Sequence, residues 1–300
     1  MKILITGGKG QLGTELAKCF ERGYTEIGTP EVLKGTNEVR PIDIDELDIT
    51  DLSQVRALMR SEGYDAVINC AAYTNVDGCE THRDDAFKVN AIGPRNLAMV
   101  CEETGAKLIH VSTDYVFSGN ASAPQTECDI PAPKSAYGST KYMGERYVRE
   151  FCSRSFIVRT AWLYGYYGKN FVKTIMNAAR KYGALTVVDD QIGNPTNAAD
   201  LAHHIIKLLD TEEYGIYHGT GTGICSWYDF ASEIVRLAGI DAKVSPCTSA
   251  QYAADHPAAA DRPAYSALDN MMFRVTVGDE FRPWQEALTE FFKNYSEQEN

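Results

Sequence analysis

Tyr137 and Lys141 stand four positions apart in Tyr137-Gly138-Ser139-Thr140-Lys141, the spacing that puts two side chains on one face of a helix. A phenol with a pKa of about 10 is a feeble proton donor or acceptor at neutral pH, and an ammonium beside it favours the phenolate and lowers that value. The lysine's remaining donors suit the hydroxyls of a ribose. The loop Pro131-Ala132-Pro133-Lys134-Ser135 marks the start of the helix. Such a pair is also common on helix surfaces, so its weight comes from a second feature, the strand end His110-Val111-Ser112-Thr113-Asp114. Ligands of open α/β sheets collect at the carboxyl ends of strands, and a hydroxyl there can donate to a carbonyl oxygen that is becoming an alkoxide. Ser, Thr and Asp equally favour a plain strand-terminating turn.

The second chemical motif is a glycine loop, Thr6-Gly7-Gly8-Lys9-Gly10-Gln11-Leu12-Gly13. It lies between a first apolar run and a first helical pattern, the context in which such a loop cradles a pyrophosphate on backbone N–H groups. The G-x-G-x-x-G spacing is met by Gly8, Gly10 and Gly13, and a looser form by Gly7, Gly10 and Gly13, so Gly10 and Gly13 belong to both. An acidic residue after the second strand normally holds the adenosine ribose. Asp43 is that candidate; no arginine follows it, which leans toward NADH, while Lys9 could meet the extra phosphate of NADPH.

These groups need a sheet to hold them. Lys2–Thr6, Glu38–Ile42, Ala66–Cys70, Lys107–Val111 and Phe156–Arg159 read as strands of an α/β, doubly wound parallel sheet. Leu12, Leu16 and Phe20 form a helical stripe, and a single helix is expected over Ala86–Glu103. Pro41 demotes the second strand toward an edge or makes it short, and Tyr24–Asn37 is a poorly patterned insert before it. After residue 165 the rhythm breaks into aromatic and glycine clusters and an alanine-rich stretch, Ala250–Ala264. The expected division is a dinucleotide-binding domain over 1–165, completed by strands from 185–225, and a smaller substrate-binding lobe over 166–300, ending in a polar, frayed tail from Ser296. No internal repeat is visible.

At 300 residues, 44% apolar and 23% charged, the chain has globular composition and room for one large or two ordinary domains. Asp and Glu outnumber Lys and Arg 41 to 29, and the net charge of −12 repels nucleic acid and anionic lipid. No apolar run is long enough for a membrane span, and Met1-Lys2-Ile3-Leu4-Ile5 runs straight into the glycine loop, so the expected location is cytoplasmic. The eight cysteines form no C-x-x-C pair, which points to reduced thiols and against structural zinc, and no residue is assigned as a metal ligand.

Taken together these motifs resemble the extended short-chain dehydrogenase/reductase family, and within it the dTDP-4-dehydrorhamnose reductase branch. The likeness runs through GGKGQLG at Gly7–Gly13, ELDITD at Glu46–Asp51, NCAAYTNVD at Asn69–Asp77, Val89-Asn90-Ala91 and STDYVFSG at Ser112–Gly119. It continues through Tyr137–Lys141 with Gly144-Glu145, RTAW at Arg159–Trp162, Gln191–Thr196 and Arg262-Pro263. The resemblance implies a Rossmann-type fold and reduction, by NADPH or NADH, of the C4 keto group of dTDP-4-dehydro-L-rhamnose to dTDP-L-rhamnose for polysaccharide. It implies that Tyr137 is the proton donor, Lys141 its helper and ribose ligand, and Thr113 the third catalytic member. Gln11 and Leu12 would line the pyrophosphate, Asp48 and Ile49 the adenine, and Ala71, Ala72 and Tyr73 the adenosine ribose and phosphates. Asp114, Trp162, Asn170 and the Gln191–Thr196 loop would face the substrate, and Arg262 its pyrophosphate.

Some departures stand out. Gly78-Cys79 replaces a commoner Lys-Ala, and Ala267 stands where many relatives carry a second arginine. Some relatives dimerise through magnesium held by acidic side chains; magnesium is possible here but not placed, and the chain is expected to be a monomer or homodimer. The alternatives are a nucleotide-sugar epimerase or dehydratase of the same superfamily, or a non-catalytic dinucleotide-binding regulatory subunit. Tyr115 and Val116 after Asp114 lack the acid a dehydratase needs, and intact Tyr137, Lys141 and Thr113 argue against the regulatory subunit.

Overall fold

Ile3, Leu4 and Ile5 have no exposed surface, as a central parallel strand covered on both faces requires. The computed structural model describes residues 1–255 and 260–295 of the 300. The polar tail at 296–300 and positions 256–259 of the alanine-rich stretch lie outside the described residues. Six strands form one parallel sheet: β1 (Lys2–Thr6), β2 (Glu38–Ile42), β3 (Ala66–Asn69), β4 (Lys107–Thr113), β5 (Ser155–Thr160) and β6 (Gly215–His218). Their order is β6-β5-β4-β3-β1-β2. The chain turns one way from β1 to β2 and the other way to β3, so the crevice between β1 and β3 is the switch point where ligands bind. Pro41 sits in β2, at the edge, where a missing N–H costs no ladder bond.

Alternation along the strands feeds two apolar layers. Ile3 and Ile5 pack with Leu12, Leu16 and Cys19 of α1 (Gln11–Arg22) and with Leu201, Ala202 and Ile205 of α6 (Ala198–Leu209). Leu4, Val67 and Leu108 pack on the opposite face with α2 (Leu52–Glu62), α3 (Gly93–Thr104) and α4 (Ala136–Phe151). The insert at 24–37 is a packed strap: Val32 and Leu33 are buried in the α1–α6 layer, and the Val32 N–H donates to Asp210 Oδ2 at 2.8 Å.

The expected single helix over 86–103 is instead a short helix Arg83–Phe87, a π turn Lys88–Ile92 and then α3. Pro94, in the first turn of α3, has no N–H to return to the carbonyl of Asn90, so the ladder is broken there.

The second lobe has its own core, built by α5 (Phe171–Tyr182), α7 (Trp227–Leu237) and α8 (Trp284–Asn294) around Phe230, Ile234, Leu288 and Phe291. Of the strands expected from 185–225 to complete the main sheet, β6 does so. Ala184–Val188 pairs with Lys243–Cys247 in a separate ribbon. Residue 165 does not divide the packing cleanly, since α6, β6, Phe273 and Phe281 all lie in the α1 layer.

Candidate active site

Helix α4 begins against the turn that leaves β4. Ser135 caps it by accepting from the Gly138 N–H at 3.1 Å, and Glu80 Oε1 accepts from the Ala136 N–H at 2.6 Å. A Cβ at Gly138 would lie 2.1 Å from the Tyr115 carbonyl oxygen, so only glycine lets the helix approach this closely. The approach sets the Tyr137 phenol beside the Thr113 side chain on the wall of one cavity. Thr113 Oγ1 in turn donates to Asp114 Oδ1 at 2.9 Å. Lys141, one turn along, is buried, and its Nζ donates to the Val111 carbonyl at 2.6 Å. Phenol, hydroxyl and ammonium all line one cavity of about 920 Å³ at the carboxyl ends of β1, β3, β4 and β5.

The electrostatics differ from the simple expectation of an ammonium lowering the phenol. Burial raises the Tyr137 pKa, and the neighbouring Thr113 side chain opposes that rise. Burial also pulls the Lys141 ammonium down to about 8, against the pull of Glu145 and Cys70. Asp114 is pushed up to about 6 by burial, with hydrogen bonds from Ser266 and Thr113 holding it back. All three lie closer to neutral forms than free side chains do, as desolvation requires.

The glycine loop enters the same cavity. Gly7 sits at φ +68°, and a Cβ at Gly13 would lie 2.2 Å from the Gly7 carbonyl oxygen, so α1 starts hard against the turn. Gly10 caps α1 without a side-chain acceptor, and its first turn holds no acid, leaving helix N-terminal N–H groups for an anion. That fits the pyrophosphate of a dinucleotide. Asp43 and Asp48 line the cavity. Asp43 Oδ2 accepts from the Lys9 N–H at 3.1 Å, and Lys9 Nζ pairs with Asp45 at 2.6 Å. Ile49, Ala71, Ala72 and Tyr73 complete that end. Among the described residues no three His, Cys, Asp or Glu side chains gather as metal ligands.

Trp162, just after β5, and Arg262, from the second lobe, reach the cavity. Trp162 takes φ +48° and stacks on Trp227 with ring centroids 3.5 Å apart, and Arg262 Nη2 lies 3.2 Å from Asp77. Asn170 does not line the cavity as expected. Its carboxamide is fully engaged: Nδ2 donates to Gln11 Oε1 and to the Gly165 carbonyl, both at 2.9 Å, and Oδ1 caps α5. The Gln191–Thr196 loop is likewise turned to structure. Gln191 donates to Ser249, Asn194 bridges Gly223 and Leu268, and Gly193 leaves room for the Trp162 ring.

Three features were not assigned from sequence. Asn90 clamps the Tyr73 backbone from both sides, accepting from its N–H at 2.8 Å and donating to its carbonyl at 3.1 Å. Glu145, fully buried, accepts from Ser112 Oγ at 2.6 Å and pairs with Arg159 at 2.7 Å. Arg159 Nη1 donates to His218 Nε2 at 3.3 Å. Val-Asn-Ala, Gly-Glu and the Arg of RTAW were visible as motifs, without their partners. Lys169, also on the cavity wall, carried no signal.

A sequence model described as RmlD substrate binding domain matches residues 1–297. The dTDP-4-dehydrorhamnose reductase of Aggregatibacter actinomycetemcomitans is 40% identical over 295 residues, 96% of this chain and 97% of that protein. A crystal structure of a dTDP-4-dehydrorhamnose reductase from Clostridium acetobutylicum has a TM-score of 0.90 at 48% identity, covering 98% of this chain and 99% of its own. A dTDP-4-dehydrorhamnose reductase from Bacillus anthracis, solved in complex with NADP, has a TM-score of 0.89 at 41% identity over 97% of this chain and 98% of its own. With likeness of sequence and of fold extending from the glycine loop to the last helix, the chain belongs to the RmlD substrate binding domain family.

Proposed function

We propose that this chain reduces the C4 keto group of dTDP-4-dehydro-L-rhamnose to give dTDP-L-rhamnose, using NADPH or NADH. The observation that carries this is the convergence of the Tyr137 hydroxyl with Thr113 and the buried Lys141 in the cavity that also holds the glycine loop. A bound nicotinamide dinucleotide supplies a hydride to the carbonyl carbon. Tyr137 gives the alkoxide its proton, and Thr113, rotating its single O–H from Asp114, donates to the same oxygen as charge develops. Lys141, tied to the Val111 carbonyl, holds the ribose of the cofactor with its other donors. Gly10, Gln11, Leu12 and Gly13 seat the pyrophosphate, with Asp43, Asp48 and Ile49 at the adenosine end. Trp162 and Asp114 flank the sugar, and Arg262 meets the substrate's diphosphate.

A positioned acid is worth about 10²- to 10⁴-fold in rate. Tyr137→Phe therefore loses that much turnover, followed by nicotinamide absorbance with the 4-keto sugar nucleotide, while its dinucleotide affinity stays within about twofold of the parent. Undiminished turnover in the variant removes Tyr137 from the mechanism. Stoichiometric consumption of NAD(P)H distinguishes a reductase from an epimerase, which regenerates its cofactor in each cycle.

A further inference from the structure

A cleft that takes two diphosphates in a chain of net charge −12 needs cations, and its wall carries three: Lys141, Arg262 and Lys169. Two already have protein partners and a place in the proposed reading, at the cofactor ribose and the substrate's diphosphate. Lys141 Nζ is turned to the Val111 carbonyl, and Arg262 is paired with Asp77. Lys169 is exposed, and among the described residues its ammonium makes no hydrogen bond or ion pair.

Its place in the cleft is fixed from both sides. Gly168, at φ +65°, lies so near α1 that a Cβ there would be 3.6 Å from the Gln11 backbone nitrogen. Asn170, on the other side, donates to Gln11 Oε1 at 2.9 Å, and Gln11 Nε2 returns to the Leu163 carbonyl at 3.2 Å. Residues 168–170 of the second lobe thus straddle the first residue of α1, and the middle one faces the cavity. A helix end offers only about half a positive charge, whereas a dinucleotide diphosphate brings two negative ones.

We infer that Lys169 is a cofactor-binding residue whose ammonium, carried by the second lobe, closes over the diphosphate bridge of the dinucleotide seated on the N-terminus of α1. This rests on the proposed function and adds to it a clamp between the lobes: the glycine loop holds the diphosphate from below through N–H groups, and Lys169 neutralises it from above. The Gln11–Asn170 hydrogen bond keeps the two halves of that clamp in register.

The test measures binding without turnover. NADPH, NADH and dTDP are titrated separately, by calorimetry, into the parent, Lys169→Met and Lys169→Arg. Lys169→Met weakens both dinucleotides by about tenfold, the scale of one charge-assisted hydrogen bond, and Lys169→Arg recovers most of it. Binding of dTDP is unchanged, and thermal melting stays at the parental midpoint because the side chain is exposed. Equal dinucleotide affinities in Lys169→Met and parent overturn the inference. A loss confined to NADPH overturns it in favour of the 2′-phosphate, and a loss confined to dTDP in favour of the substrate's diphosphate. A parent that binds neither dinucleotide overturns the proposed function itself, and the inference with it.

Discussion

Lys141 keeps a charge where its surroundings resist one. Burial brings its pKa from 10.5 down to about 8, so the ammonium is present below that pH and is lost above it. An ammonium that holds ribose hydroxyls then makes dinucleotide affinity flat through neutral pH and falling above about pH 8. Lys141→Arg, which stays charged throughout, abolishes the fall. Titrations of NADPH across that range decide it, and an unchanged break in the arginine variant assigns the titration to another group. Asp114 presents the opposite sign. Its carboxyl titrates at about 6 in the folded chain against 3.8 for a free side chain, so the folded state binds more protons through that window. Its contribution to stability falls as pH rises and the cost is complete above about 6. Asp114→Asn therefore raises the melting temperature at about pH 7.5, and the gain fades as pH drops toward 4. The same change costs turnover, because Asp114 orients Thr113. A variant less stable than the parent at neutral pH removes the claim that burial strains this carboxylate.

The glycine loop shows an element made by close contact. A Cβ at Gly13 would sit 2.2 Å from the Gly7 carbonyl oxygen, and one at Gly7 would sit 2.7 Å from the Ala71 nitrogen, so α1, the loop and β3 are packed backbone to backbone. Gly13→Ala forces the helix start away from the turn and misaligns its N–H groups. Dinucleotide affinity falls more than about tenfold, while circular dichroism and dTDP binding stay near parental, since overpacking of one site costs about 1–3 kcal/mol. Dinucleotide affinity equal to the parent's shows that the loop tolerates the methyl. This loop was legible in the sequence because its chemistry is local: glycines between an apolar run and a helical stripe. So was the Tyr137–Lys141 pair, which needs only one helix; Pro41 left β2 either at an edge or short, and the sheet order puts it at the edge. What could not be seen depends on partners far along the chain. Asn170 meets Gln11 across 159 positions, and Ser112, Glu145, Arg159 and His218 meet only after β4, α4, β5 and β6 have assembled. A side chain capable of facing substrate was instead consumed as a tie, and nothing in its own neighbourhood said so. The π turn before α3 is intermediate: Pro94 was visible, but whether a helix stops, kinks or bulges at a proline is decided by what packs on it, here α4 with Gly144 against the Asn90 carbonyl.

At the scale of the whole molecule, the two lobes share one buried charge network. Asp200 on α6 accepts hydrogen bonds from Arg282, which arrives from the C-terminal segment and pairs also with Glu26 of the insert at 2.8 Å. Glu26 accepts in turn from the Tyr166 hydroxyl of the second lobe at 2.7 Å. Four segments far apart in sequence thus meet in one network, Asp200 and Glu26 on the Arg282 guanidinium and Tyr166 on Glu26, which ties the poorly patterned insert into the packing. Asp200 has 1% of its side chain exposed, and burying a carboxylate is tolerable only while it is paired. Arg282→Met keeps much of the volume and removes the charge. It is expected to destabilise the protein by about 3–5 kcal/mol, the cost of stranding one member of a buried pair. Asp200→Asn in the same chain recovers a large part of that loss by removing the stranded charge. Urea unfolding checks both variants, and the shape of the transition carries the larger claim. If the network joins the lobes, the parent unfolds in one transition, whereas Arg282→Met separates into two or loses slope as the lobes uncouple. A variant that shifts by less than about 1 kcal/mol with its single transition intact shows that apolar packing alone holds the lobes together.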